Sequence, residues 1–306
     1  MRVLVTGGAG FIGSHVAEAL LAAGHEVYVI DNLAGGSTAN LPPGVTFCRQ
    51  DITDPAVVGL VGEIKPRVIM HQAAQVAVPV SLRDPVFDAG VNIIGTLHLL
   101  EACRQHGVAK IVFASSAAVY GTPRCLPLDE SHPAAPLSGY GVAKYAVEKY
   151  LAAYGELYGL RWTALRYANV YGPRQDAQGE GGVVAIFIDR LLRRQPAVIF
   201  GDGQQTRDFV YVKDVAAANL LAMERGDGRI LNISTGRAVT VQQLYQLIRQ
   251  QTASHLEPVY RPPRPGDIVH SYLDNRAAVA CLGWQPRYDL ADGLRETVAY
   301  YLNKKN

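Results

Sequence analysis

Residues 6–13 read TGGAGFIG, directly behind the apolar run Val3-Leu4-Val5. An apolar run that breaks into glycines spaced G-x-x-G-x-x-G at Gly7, Gly10 and Gly13, then resumes at helical spacing, is a strand turning straight into a helix. At such a junction the backbone N–H groups and the positive end of the helix dipole converge on one point, which suits an anion. A Cβ there would hold a pyrophosphate off the backbone or push the helix off the sheet. The bare pattern also fits a structural turn. What decides for dinucleotide binding is its place between strand and helix, together with Asp31 at the end of the second apolar run. A carboxylate at that point accepts from both adenosine ribose hydroxyls and repels a 2′-phosphate. Asn32-Leu33-Ala34 follow instead of an arginine, so the expected cofactor is NAD rather than NADP. Asp51 and Ile52, past the third run, suit the adenine ring, although Asp51 alone reads as a helix cap. Gly8 reads only as a small residue in a tight bend.

Short β-branched runs (Val3 to Val5, Val27 to Ile30, Val45 to Phe47, Val68 to Met70, Ile111 to Ala114, Trp162 to Arg166) alternate with helical stretches at Phe11 to Ala23, Asp84 to Gln105 and Tyr140 to Tyr158. That order predicts an α/β fold, a Rossmann-type doubly wound parallel sheet with helices on both faces. From Tyr171 the chain turns polar and glycine-rich (YGPRQDAQGEGG), and RPPRPGD forms a second loop. These features predict a smaller α/β substrate-binding part. The expected division is a nucleotide-binding domain over 1–171 and a substrate domain over 172–306, with part of 208–235 packing back onto the first. Thr240 is expected to cap one later helix, and 290–302 to form another.

Among the 306 residues, 29 Lys and Arg face 27 Asp and Glu, with the charges scattered. No nucleic-acid footprint is present. The four cysteines, Cys48, Cys103, Cys125 and Cys281, lie far apart, read as reduced and mostly buried thiols, and imply no metal. No run of about 18 apolar residues and no signal-peptide core is seen, so the expectation is a cytoplasmic protein without a membrane segment.

The second constellation is SGYGVAK, which puts Tyr140 and Lys144 on one face of a helix, one turn apart. A phenol titrates at about 10, and moving it near 7 takes roughly 4 kcal/mol of preference for the phenolate. One cation at about 5 Å supplies roughly 3 kcal/mol at an effective dielectric near 20. Lys144 alone therefore falls short, while Lys144 with the positive nicotinamide ring can suffice. The bland alternative is a surface Tyr and Lys on an amphipathic helix; the preceding cradle and the strand ending FASSAAVYG weigh against it. That strand end places Ser115 and Ser116 at the carboxyl edge of the sheet, where ligands of such folds bind. Ser116 can donate to a substrate oxygen near Tyr140. For Ser115 a purely structural role is an equal reading.

TGGAGFIG, SSAAVYG and YGVAK, in this order, resemble the extended short-chain dehydrogenase/reductases, and within them the NAD-dependent nucleotide-sugar epimerases. Further matches at DNLAGG, HQAAQ, Asn92, YANVYGPR, GDGQQTRDFVYVKDVA and RPGD extend the likeness over essentially the whole chain. The resemblance implies that Gly7, Gly10, Phe11, Ile12 and Gly13 hold pyrophosphate, Asp31 and Asn32 the adenosine ribose, and Asp51 and Ile52 the adenine. Ala73, Ala74, Gln75, Asn92 and Ser115 would line the cofactor, with Tyr140 and Lys144 on the nicotinamide ribose and Tyr167 near the nicotinamide. For the substrate it implies Asn169, Arg207 and Arg264 on the nucleotide diphosphate, Asp267 on the uridine ribose, and Val198 to Phe200 along the uracil. Arginines suit a diphosphate because guanidinium groups bond phosphate bidentately. Taken singly, Arg207 beside Asp208 reads as a surface ion pair.

The implied reaction is epimerisation of UDP-glucose and UDP-galactose at C4, with Ser116, Tyr140 and Lys144 as catalytic residues and a transient 4-keto sugar. Dehydratases and decarboxylases of this family carry a carboxylate after the catalytic Ser or Thr, whereas here Ala117-Ala118 follow Ser116. Without that base, elimination is disfavoured. Ser271 falls at the family's gate for a 2-N-acetyl group, which implies tolerance of UDP-N-acetylglucosamine and UDP-N-acetylgalactosamine; a slip of one residue onto Tyr272 would reverse this. A UDP-glucuronate 4-epimerase, with Arg83 and Thr122 on the extra carboxylate, and a non-catalytic NAD-sensing scaffold are the alternatives. The resemblance also implies a homodimer through helices near 92–105 and 140–158.

Overall fold

The computed structural model describes residues 1–177, 182–263 and 268–305. Arg264 and Asp267 lie outside the described residues. Seven parallel strands form the central sheet: β1 (Arg2–Thr6), β2 (Glu26–Asp31), β3 (Thr46–Arg49), β4 (Val68–His71), β5 (Lys110–Ser116), β6 (Arg161–Tyr167) and a late arrival at Arg229–Ile233. In chain order the sheet runs 3-2-1-4-5-6 and then that late strand, so the order reverses between β1 and β4. Open α/β sheets bind ligands at such a reversal, outside the carboxyl ends of the strands.

Helices α1 (Phe11–Ala22), α2 (Ala56–Ile64), α3 (Val78–Arg83), α4 (Pro85–Ala89), α5 (Gly95–His106) and α6 (Gly139–Tyr158) connect the strands, with one π-helical turn at Gly90–Ile94 joining α4 to α5. Gly107 and Gly159 end α5 and α6 in left-handed conformation, which a side chain would resist. Buried β-branched residues on both faces explain why the strands read as apolar runs: Val3, Val5, Val29 and Met70 pack toward α1, while Leu4, Ile30, Ile69 and Ile111 pack toward α2 and α5.

The later chain supplies β7 (Asn169–Tyr171), α7 (Val183–Leu192), β8 (Val198–Phe200), β9 (Thr206–Arg207), β10 (Phe209–Tyr211) and α8 (Val212–Ala222). The late edge strand is β11, followed by β12 (Val239–Thr240), α9 (Val241–Gln251), β13 (Val259–Arg261), α10 (Arg276–Leu282) and α11 (Leu290–Lys305). β10 pairs with β7, β12 with β9 and β13 with β8, each as a two-stranded sheet. Tyr171, Phe187, Ile199, Leu244, Tyr245 and Leu294 form a separate apolar cluster among these elements. α9 starts with a full capping box: the Thr240 hydroxyl accepts from Gln243 N–H, and the Gln243 side chain accepts from Thr240 N–H.

Two expectations are corrected. All four cysteines are free, but only Cys103 is buried; Cys125 and Cys281 are exposed and Cys48 is intermediate. The helical run Pro85–His106 is long and apolar enough, by length and composition, to cross a membrane. Here its second half packs on the protein, with Leu99, Leu100, Ala102 and Cys103 in the core between α5, α2 and the sheet, while Val86, Phe87 and Ile94 in the first half are exposed.

Candidate active site

The glycines of the first turn are needed one by one. Gly7 sits at φ +69°, and a Cβ on it would lie 2.6 Å from the Ala73 backbone nitrogen. A Cβ on Gly13 would lie 2.1 Å from the Gly7 carbonyl oxygen, so this glycine lets α1 seat on the turn. Gly8, read as a mere bend residue, is pressed against the Val29 side chain, 2.7 Å from where a Cβ would be. Gly10 caps α1 without a side chain, and the helix's first hydrogen bond is Ser14 N–H to Gly10 O at 3.2 Å. The amides of Phe11, Ile12 and Gly13 thus stand ahead of the helical ladder, at the positive end of the dipole. The cradle fits a pyrophosphate: its backbone approaches closely and a Cβ at Gly7 or Gly13 would close it.

Asp31 ends β2 and is 8% exposed. Its Oδ2 accepts from Ala9 N–H at 3.0 Å and its Oδ1 from Leu33 N–H at 2.7 Å. Each carboxylate oxygen keeps a further lone pair, so the group can still accept from two ribose hydroxyls. Asn32 donates to Asp51 Oδ2 at 2.7 Å, and Asp51 Oδ1 accepts from Thr53 N–H and Oγ1–H. Burial works against the Asp51 charge, but these bonds hold its carboxyl below the usual range. Asp51 is therefore a turn anchor and not the cap of α2, whose first turn is reached by Asp54 instead. Ile52 is buried against Gly95.

The strand after the reversal leads into Ala73-Ala74-Gln75, and Asn92 in the π-helical turn pins it. Gln75 N–H donates to Asn92 Oδ1 at 3.0 Å and Asn92 Nδ2 donates to Gln75 O at 2.9 Å. Buried Asp88 accepts from both Asn92 and Gln75 side chains. Beneath them His71 joins Thr6 to Thr96. Thr96 gives its proton to Asn92 O, so it accepts from His71 Nε2–H, and His71 Nδ1 accepts from Thr6. Burial drops the His71 pKa to about 3, helped by Lys144, so the ring stays neutral.

Ser116 ends β5, where its hydroxyl accepts from Ala118 N–H at 3.1 Å, and Tyr140 lies in the first turn of α6. Ser138 caps α6 by accepting from Gly141 N–H, which fixes where the helix begins and hence where Tyr140 stands. Lys144 is 3% exposed; its Nζ lies 5.7 Å from the Tyr140 ring centre and 4.7 Å from that of Phe113. Burial pushes Tyr140 up to about 12, against the pull of Ser116, and lowers Lys144 to about 7, against the charge of Asp88. Burial thus makes the phenolate harder to form than a phenol starting at 10 beside a fully charged Lys144 would imply. Tyr167, also near 12 through burial, donates to Asn219, which in turn bonds Gln72. Of the two readings of Ser115, the structural one has a visible partner: its hydroxyl donates to Glu148 Oε1 at 2.6 Å, inside the protein.

On the far side of the sheet edge, exposed Asn169 begins β7 and its N–H donates to Asp208 O. Asp208 does not pair with Arg207. It is buried and accepts from Thr235 N–H, Thr235 Oγ1–H and Gly236 N–H, while Arg207 Nη1 donates to the Thr206 and Val269 carbonyls. Val198 and Phe200 sit on β8 beside β13. Ser271 N–H donates to Thr206 O, whereas Tyr272 O and Asp274 N–H bond Leu128 on the opposite side. That alternation marks an extended chain, so Ser271 shares a face with Leu273, which is buried against Val119 and Tyr120 just beyond Ser116. Tyr272 takes the other face. Among the described residues no group of three or more His, Cys, Asp or Glu could hold a metal ion.

His71, Asp88, Glu148, Arg166 and Asn219 were not singled out from sequence. Only Glu148 carried a usable signal: it lies one and two turns beyond Lys144 and Tyr140 on the same helical face.

A glycine cradle at the reversal of a doubly wound sheet, with a Ser, a Tyr and a Lys gathered at the same edge, defines a dinucleotide-dependent α/β enzyme. Residues 3–234 match the NAD dependent epimerase/dehydratase family, and the chain belongs to it. Three solved structures are similar over the whole length. A UDP-glucose 4-epimerase of Thermotoga maritima, solved with UDP-glucose, is 48% identical with a TM-score of 0.98, covering 100% of both chains. One of Thermus thermophilus, solved with NAD, is 47% identical with a TM-score of 0.93, covering 99% of both. A UDP-N-acetylglucosamine 4-epimerase of Methanobrevibacter ruminantium, solved with UDP-N-acetylmuramic acid, is 37% identical with a TM-score of 0.95, covering 99% of this chain and 98% of that one.

Proposed function

We propose that this chain is an NAD-dependent UDP-hexose 4-epimerase that interconverts UDP-glucose and UDP-galactose. The carrying observation is Lys144, buried with its Nζ 5.7 Å from the Tyr140 ring centre, at the sheet edge that also bears Ser116 and the glycine cradle. Bound NAD supplies a hydride acceptor and donor for the sugar's C4 and a positive charge beside Tyr140. The chain's own residues handle the proton. Tyr140 takes it from the 4-hydroxyl and returns it on the opposite face once the 4-keto sugar has turned; Ser116 holds the same oxygen by donating to it. Bringing Tyr140 from about 12 to near neutrality needs about 7 kcal/mol. Lys144 alone supplies less than this, so the charge of Lys144 and that of the cofactor act together on Tyr140.

The cofactor is held by Gly7, Gly10 and the Phe11 to Gly13 amides, by Asp31 and Asn32, and along Ala73 to Gln75. Asn169, Arg207 and Arg264 take the diphosphate, Asp267 the uridine ribose, and Val198 and Phe200 the uracil. Ser271 leaves room for a 2-N-acetyl group; its placement on the Leu273 face supports this, as does the likeness to the Methanobrevibacter enzyme. Residues 1–171 are read as the cofactor domain and 172–306 as the substrate domain, with part of 208–235 returning to the first. Exposed Val86, Phe87, Ile94, Val142, Tyr150 and Leu157 on α4 to α6 support a homodimer across these helices. The four free thiols support a cytoplasmic location.

The test is to incubate the protein separately with UDP-galactose, UDP-N-acetylglucosamine and UDP-glucuronate and identify the products. Tyr140→Phe is expected to keep bound NAD and UDP-sugar while turnover falls at least about a thousandfold. Wild-type rates in that variant would defeat the mechanism, and turnover of UDP-glucuronate alone would replace the substrate.

A further inference from the structure

Strands β5 and β6 run in register so that Ser116 faces Tyr167 and, one rung below, Ser115 faces Arg166. The upper rung carries the groups assigned to chemistry. The lower rung is closed by one side chain from the helix that carries Tyr140 and Lys144. Glu148 Oε1 accepts from Ser115 Oγ at 2.6 Å and from Arg166 Nε at 2.9 Å, and Glu148 Oε2 accepts from Arg166 Nη2 at 2.6 Å. All three residues are at most 3% exposed. Arg166 also lies 4.6 Å above the ring of Tyr120, whose hydroxyl donates to Asn232 on β11.

A buried ion pair is a poor way to gain stability, because two well-packed apolar side chains would do as well. What it gives is direction: a bidentate guanidinium and carboxylate, with a hydroxyl on the same oxygen, accept one relative placement, whereas Leu on Val tolerates sliding. Glu148 is one turn from Lys144 and two from Tyr140 on the same face, so fixing it against the lower rung fixes Tyr140 against Ser116 above. We infer that Glu148, through Ser115 and Arg166, is a positioning residue that sets the Tyr140–Ser116 separation for proton transfer. This rests on the epimerase reading.

The experiment compares wild type, Glu148→Gln and Glu148→Gln/Arg166→Met, the double variant removing both charges at similar volume. Read for each are kcat and KM for UDP-galactose, retained NAD, and the melting midpoint. Glu148→Gln is expected to lower kcat by at least about tenfold, since a misplacement near 1 Å can cost up to a hundredfold, with KM within about twofold and NAD retained. The double variant is expected to recover the melting midpoint but not kcat. If kcat returns with the midpoint, or Glu148→Gln turns over as wild type, the pair is only structural and the inference fails. Should Glu148→Gln not fold, the double variant decides by the same criterion. A wild-type protein that turns over no UDP-hexose would instead defeat the epimerase reading, and this role with it.

Discussion

Replacing Lys144 by Met should remove activity and make the nucleotide-free protein more stable. In the folded chain burial brings Lys144 from 10.5 to about 7, with Asp88 opposing. The unfolded chain therefore binds more protons between those values, and stability rises with pH across the window. The penalty is fully present below about pH 7, fades as pH rises toward 10.5 and is gone above it, where the amine is neutral in both states. At pH 7 it is about 4 kcal/mol. Methionine fills a similar volume without a charge, but forfeits the contact of Nζ with the Phe113 ring, worth up to about 2 kcal/mol when desolvated. The net gain is about 2 kcal/mol, which for a chain of this length is roughly 3 °C in the melting midpoint. Thermal melts of both proteins, freed of nucleotide, from pH 7 to 10.5 test this. The variant should lead at neutral pH and the lead should vanish toward pH 10.5. A variant that melts at or below wild type at pH 7, or a gap that does not change with pH, would refute the reasoning.

Gly13→Ala forces a methyl to 2.1 Å from the Gly7 carbonyl; purified protein should carry little NAD, seen as loss of the bound-nucleotide absorbance. Ser271→Tyr should abolish turnover of UDP-N-acetylglucosamine while sparing UDP-galactose within about tenfold, a ratio read by product analysis; an unchanged ratio would move the gate elsewhere. Charging the exposed face with Phe87→Asp should shift sedimentation from dimer to monomer at micromolar protein, and a wild type that sediments as a monomer would remove the proposed homodimer.

What could be read from sequence was local. The glycine spacing, Asp31 at a strand end, and Tyr140 and Lys144 one turn apart are all set by neighbours within a few residues, so backbone geometry alone carries them. What the sequence left open has another origin. Ser115 and Ser116 look alike in sequence, and only the register of β5 against β6 sends Ser115 to Glu148. Arg207 and Asp208 are adjacent in the chain, yet Asp208 is claimed by the Thr235-Gly236 turn. The charge on Lys144 depends on how much of the fold closes over it. Asp88 stands one helical turn before Asn92, but Gln75 and Asn219, which bond Asn92 and Tyr167, come from separate elements that no spacing rule connects.

The late strand β11 bears on the order in which the chain can be made. The sheet's outer edge at β6 stays open until residues 229–233 arrive, and the α1 flank stays uncovered until α8 and Trp284 pack there. During synthesis the first 171 residues can emerge with their glycine turn already encoded, yet the layer that supports it must wait for most of the chain to leave the ribosome. A polypeptide released before residue 229 would leave the β6 edge unpaired, the edge that β11 covers in the finished protein.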